Sequence, residues 1–375
     1  MAPVSQVDVT ARSNPQHPER PRRSGRFKAL LTVCIVAVIA AVAFVAWSHR
    51  PVALQPYGGA ATANDQLIRV TVDPSGGVWA IGLRYDRDPS TSGVHLLSTF
   101  IIHGKHGRWV IAKSFDAVSG IAINDLAMVS PTEGWAVGSV FGSNAYGAIL
   151  HYKDGDWSEE SFHPRGVLSA IAMVSPTEGW AVGGDPQPNG AVTILHYSEG
   201  EWAPDDLQAP ITGQLSAISM TSADTGWAAG TTSTPANAFS LILLRYDQGQ
   251  WSPAPAPPGS GTSASGQPDD VWAVGLELRH FVRGAWSSAP NPAGVWLSDI
   301  AMTSATDGWA VGDPTEWHTA FLFHYAGGAW TQVDSPTQQP LSSVAMVSPT
   351  EGWAVGVRGT ILHYVDGAWS IVNDG

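Results

Sequence analysis

The chain has 375 residues, 44% of them hydrophobic, and one cysteine; that is apolar material for a large folded domain and excludes a disulfide framework or a cysteine-built metal site. Its charge is split: residues 1–50 hold seven Lys/Arg against two Asp/Glu, while 51–375 hold twelve against thirty, a net −18. A domain this acidic repels phosphate backbones, which argues against nucleic acid and favours cationic or neutral partners.

Residues 1–27, rich in Pro and Ser with Arg12, Arg20, Arg22, Arg23 and Arg26, read as a disordered basic tail. Residues 28–48 read as a transmembrane helix. Ala29 to Trp47 is a run whose one polar side chain is Thr32, and at about 1.5 Å per residue it spans a hydrocarbon core of about 30 Å. Basic residues precede it and only Arg50 follows closely, so the N-terminus is expected in the cytoplasm and the rest outside, as in a single-pass cell-membrane protein. A cleaved signal peptide is the competing reading, but the stretch exceeds the usual apolar core of about 7–15 residues. Cys34 lies inside the span, and Val33 occupies the place where a lipoprotein signal wants a small residue. Residues 49–65 read as a linker.

Residues 66–375 repeat. Trp79, Trp135, Trp180, Trp227, Trp272, Trp309 and Trp353 each open Trp-Ala-x-Gly, and Trp109, Trp157, Trp202, Trp251, Trp286, Trp330 and Trp369 each close Gly-x-Trp. Seven units of about 45 residues, rich in short β-runs, predict an all-β, seven-bladed propeller of four-stranded blades. The unit is clearest over 168–202: Leu168 to Val174 suits a crowded inner strand a, Ser175-Pro176-Thr177-Glu178-Gly179 is a turn, Trp180 opens strand b, Thr193 to Tyr197 is strand c, and a short hairpin delivers Trp202 onto strand d. Gly107, Gly155, Gly200, Gly249, Gly284, Gly328 and Gly367, two residues before each second Trp, fit a turn position with positive φ. Blade five is the outlier, since Pro253 to Asp269 lacks apolar alternation and predicts an irregular inner segment. Blade one has the looser turn Asp73-Pro74-Ser75-Gly76-Gly77. Two phases stand for the ring: strand d of the last blade at Trp369 to Val372, or residues 51–58 completing a blade. The fourteen repeat tryptophans read as packing between blades, each removing about 150–250 Å² from water.

Spacing separates scaffold from site. From second Trp to the next first Trp the gaps are 21 to 26 residues, whereas from first to second they run from 14 to 30, so the variation lies in the b–c loops. Variable loops on a rigid scaffold are where binding usually sits. The expected partner-binding residues on that face are Arg84, Tyr85, Asp86 and Arg87, then Tyr146, Asp185, Asn189 and Asn237, then Glu316, Trp317, His318 and Arg358. Trp317 and Trp296 lie outside the repeat positions and are the exposed-aromatic candidates. His103, His151, His196, His280, His324 and His363 each lie six residues before a second Trp, with Arg245 in that place in blade four. Equivalent positions on neighbouring blades are about 10 Å apart, too far to share a metal whose ligands must reach within about 2 Å. They read as structural, pairing with the turn or the next blade, and no metal or cofactor is expected. Glu133, Glu178, Asp270, Asp307 and Glu351, each two residues before a first Trp, read as acids that bond turn amides.

Gly-Trp-Ala-Val-Gly followed by an apolar run and Tyr-x-Asp-Gly-x-Trp, at Tyr152 to Trp157 and Tyr364 to Trp369, resembles the propellers of photosystem II assembly factors and the bacterial-neuraminidase repeat with its Asp box. The Asp is present at Asp154 and Asp366, while Asp247 is shifted. The resemblance implies a non-enzymatic scaffold that binds an extracytoplasmic or membrane protein. The alternative is a glycan-binding or sialidase-like propeller. A sialidase-type site implies an arginine triad, and 51–375 holds only nine arginines.

Overall fold

The computed structural model describes residues 55–373 except 59–62, 88–92, 94, 106–107, 143–144, 188, 206, 208, 234–238, 256–262, 268, 292 and 313–319. The expected tail and membrane span, and the predicted contacts Asn237, Glu316, Trp317 and His318, lie outside the described residues. Every described element is a strand, and the strands form seven antiparallel sheets, six of four strands and one of five. Leu54–Gly375 is one compact unit. Each sheet is a blade, and its strands run a to d from the channel outward.

Blade three shows how the repeat builds one: Val167–Ser175, Glu178–Gly184, Val192–Ser198 and Glu201–Pro204 pair in sequence order. The Ser-Pro-Thr-Glu-Gly turn closes because Ser175 Oγ accepts a hydrogen bond from Thr177 N at 3.1 Å. The same bond recurs at Ser130, Ser304 and Ser348. In blade one Asp73 does this work: its Oδ1 accepts from Ser75 N, Ser75 Oγ and Gly77 N, and its Oδ2 from Trp79 Nε1. Burial opposes the Asp73 charge, but these donors outweigh it and lower its pKa. The six described c–d turns each use two left-handed residues, such as Asp154 at φ 52° and Gly155 at 98°. That is the I′ geometry that matches strand twist. The Gly of Trp-Ala-x-Gly answers a close approach: a Cβ on Gly183 would lie 1.8 Å from Val167 O.

Blade five departs from expectation. Ser263–Gln267 pairs in register with Asp270–Val274, so the segment expected to be irregular contains a short regular inner strand. Its partner strand supplies the order that its own composition lacks, and Ser265 Oγ accepts from Met302 N of blade six. At the N-terminal end, Gln55–Tyr57 adds as a fifth strand to the outer edge of Arg108–Asp116 in blade one. The ordered unit therefore begins inside the segment read as a linker.

The core lies between blades. Trp79, Ile81 and Ile101 of blade one pack with Ile123, Leu126, Leu150 and Trp157 of blade two, and similar clusters repeat round the ring. Inner strands touch in sequence from blade one to blade seven and back to blade one. Among the described residues, no blade at that seam is shared between the two ends. Trp353 meets Trp109 edge-on at 5.7 Å, Val70 N donates to Ser343 Oγ, Gly359 N donates to Asp65 O, and Gln66 forms a single bridge with Val357.

The seven inner strands place equivalent residues at the channel, ten before the first Trp in six blades: Arg69, Asp125, Ala170, Ala217, Asp299 and Ser343. Arg69 Nε lies 3.1 Å from Asp125 of blade two, and its Nη1 lies 3.5 Å from Asp299 of blade six, reaching past blade seven. Asp299 Oδ2 also accepts from Ser343 Oγ and Val344 N, and Asp125 Oδ2 from Ile171 N. Burial pushes the Asp125 pKa up in spite of Arg69. One cation thus ties five blades together. Removing it leaves two buried carboxylates uncompensated, so Arg69→Ala should lose about 3–5 kcal/mol, read as a lower denaturation midpoint in urea.

Candidate functional site

The two faces of the ring differ in what their side chains are committed to. On the a–b and c–d side, the first Trp of every blade but the fourth stacks on a histidine of its own blade. Trp180 and His196 lie 4.5 Å apart at 7°, and the pairs Trp79–His103, Trp135–His151, Trp272–His280, Trp309–His324 and Trp353–His363 repeat the geometry. Four of the five acids expected to bond turn amides bond these imidazoles instead, and the fifth, Glu351, lies 3.5 Å from His363. His196 Nε2 meets Glu178 at 2.6 Å, His280 meets Asp270 at 2.6 Å, His324 meets Asp307 at 2.9 Å, and His151 meets Glu133 at 3.3 Å. Pleat geometry explains it: Trp180 and His196 are direct cross-strand partners, and the acid two residues back shares their face of the sheet. Each first Trp also takes an aromatic ring of the next blade, as Tyr246 does on Trp180 at 5.0 Å and Trp330 on Trp272 at 5.4 Å. Blade four changes both partners at once: Thr225 replaces the acid, and Arg245 lies over Trp227 and 3.4 Å from Asp269. Twelve repeat tryptophans are buried, while Trp286 and Trp353 are half-buried, as is Trp296. Among the described residues no group of three His, Cys, Asp or Glu could hold a metal.

The predicted contact residues lie on the b–c side, but most are engaged locally. Arg84 forms a two-pronged ion pair with buried Asp65, both bonds 2.8 Å, with its guanidinium over the Phe100 ring. Burial, and then Asp65, drives the Tyr57 hydroxyl far above its ordinary pKa. Tyr85 is half-buried, and burial raises its pKa. Asp86 closes its loop by accepting from His95 N, which lowers its pKa, and Arg87 lies 3.5 Å away. Tyr146 donates to Glu159 and packs on His163. Asp185 accepts from Gln187 N, and Asn189 is exposed with φ 62°. Arg358, exposed at φ 54°, sits in a tight turn whose Gly359 N reaches Asp65 O, so it neighbours Arg84 at the seam. Of the described predicted residues, Arg84 and the turn that carries Arg358 converge on Asp65 from two blades, while Asp86, Tyr146 and Asp185 bond within their own blades.

Sequence reading missed the apolar component of this face. Leu96, Leu97, Val118, Phe141 and Leu276 are exposed, all in or beside b–c and d–a connections. The available signal was a large apolar residue inside an otherwise polar turn, as with Val118 in Asp-Ala-Val-Ser-Gly.

No family model and no curated protein matches the chain. Solved structures do. A propeller described as YCF48 bound to D1 peptide is 17% identical with a TM-score of 0.58, covering 84% of this chain and 97% of that one. YCF48 from Cyanidioschyzon merolae is 16% identical with a TM-score of 0.55, covering 84% and 99%. The WD40 β-propeller domain of Doa1 is 9% identical with a TM-score of 0.54, covering 82% and 94%. At these identities the likeness is one of fold.

The paired change in blade four gives a test of the histidine–acid unit. Arg245→His alone should cost about 1 kcal/mol, and adding Thr225→Glu should recover it. A double-mutant cycle by denaturant unfolding measures the coupling.

Proposed function

We propose that the chain is a membrane-anchored, extracytoplasmic propeller that binds a polypeptide on its b–c and d–a face, as a non-enzymatic assembly scaffold. The observation that carries the reading is the set of exposed apolar side chains on that face: the fold leaves them in water, and such surfaces mark protein contacts. A propeller of the same fold that was solved with a peptide bound supports a polypeptide as the class of partner. The nineteen-residue apolar run before the propeller supports the anchor.

A sialidase-like site has less to draw on. Arg69 is held by Asp125 and Asp299, Arg84 by Asp65, and Arg245 by Trp227 and Asp269. Those commitments leave few of the nine arginines of 51–375 for a convergent triad. Glycan binding without hydrolysis remains as the second class and shares the same face.

Affinity capture from solubilised membranes, with the full-length protein as bait, tests the reading. A variant in which residues 87–94 are replaced by a two-residue turn should melt within a few degrees of the parent and lose the captured protein. Capture unchanged by trimming every b–c loop would reject this face as the binding surface.

A further inference from the structure

Four of the eight large apolar side chains left exposed among the described residues are carried by neighbouring backbone segments where blades one and two join on the loop face: Leu96, Leu97, Val118 and Phe141. Backbone bonds fix their arrangement. Ala117 N donates to Leu97 O at 2.8 Å, and Phe141 N donates to Gly120 O at 2.9 Å. The turn from Asp116 to Gly120 is therefore clamped between the start of strand Leu96–Lys105 and the b–c loop of blade two. Asp116 Oδ1 braces it from within by accepting from Ser119 N at 2.8 Å. Val118 lies in this turn and is 94% exposed, between the backbone segments that carry Leu97 and Phe141, the latter 61% exposed.

We infer that this junction is the anchor point of the polypeptide face, taking an apolar side chain of a partner segment that carries basic residues beside it. The inference rests on the reading of this face as protein-binding. An apolar tip on a rigid turn loses little conformational freedom when covered, so burying it favours binding with little ordering cost. The charge of the occupant follows from the surroundings. Asp116 lies in the turn itself and Asp86 is adjacent to Leu96 through the His95 bond. Arg87 offsets Asp86 in part, so Asp116 exerts the stronger pull on a cation. The whole of 51–375 is at −18. That field attracts a basic segment and repels an anionic lipid surface.

Synthetic peptides of about 12 residues, with a central Phe or Leu flanked by Lys, Ser or Glu, are the probe, titrated against the full-length protein in detergent. The Lys-flanked series should bind, weakening as salt rises from about 50 to 200 mM. Val118→Ser and Phe141→Ser should each weaken it about tenfold or more at an unchanged melting temperature. Asp116→Asn, which keeps the acceptor for Ser119 N, should flatten the salt dependence. Equal binding by parent and serine variants, or preference for the Glu-flanked series, would overturn the inference. So would binding to vesicles of phosphatidylcholine with phosphatidylserine that the serine variants lose, in the absence of peptide binding. If loop trimming abolishes capture of a membrane protein while the serine variants retain it, this junction is not the anchor although the face still binds protein. If neither trimming nor the serine variants change what is captured, the reading of the face fails as well.

Discussion

The first tryptophan of each unit is the constraint on which the ring depends. In six blades it is buried too deeply to serve any surface role, and throughout it answers to two blades: a histidine or arginine of its own sheet, and an aromatic ring or pair from the next sheet. Neither blade alone would cover it. A single sheet with that indole exposed would leave roughly 150–250 Å² in water, so folding of one unit is coupled to docking of its neighbour. Where the ring closes, the same logic holds with Trp109 covering Trp353, although there the indole stays half-buried and Gly104 stands where other blades place Tyr or Phe.

Much of this was legible because the repeat is strict. Trp, Gly and the Ser-Pro-Thr-Glu-Gly turn recur at fixed spacing, and fixed spacing in short β-runs has few architectural solutions. The pairing of His196 with Glu178 was harder to read. Each series was visible by itself, but their meeting depends on the b-to-c register, which the length of the intervening loop conceals. Methionine carried a further signal that went unread: Met128, Met173, Met220, Met302 and Met346 occupy one position of strand a, each with its sulfur against the Gly before a first Trp. The inner strand of blade five illustrates the opposite limit. Ser-Ala-Ser-Gly-Gln has no pattern of its own, and its order comes from the strand beside it.

The loop face was read for charge and aromatic rings, and there the sequence misled. Arg84 looks available as text, yet a buried carboxylate nineteen residues earlier holds both of its prongs. Val118 and Phe141 belong to no pattern of alternation, and only the polar turn around Val118 hints that it faces outward. Which polar groups are consumed locally is decided by tertiary neighbours, so candidate contacts drawn from loops alone overstate the polar ones and overlook the apolar ones.

The Arg69 cluster and the seam have a joint consequence for connectivity. Blade seven and blade one meet through side chains, a few backbone hydrogen bonds and one bridge, with no strand borrowed across the join among the described residues, and Arg69 reaches over that join to Asp299. In kind, the closure is then the same as the other six contacts between blades. A circularly permuted chain, opened in a different d–a connection and rejoined across the present seam, would keep all seven interfaces and the channel cluster. The order of the blades along the polypeptide is thus separable from the ring they form.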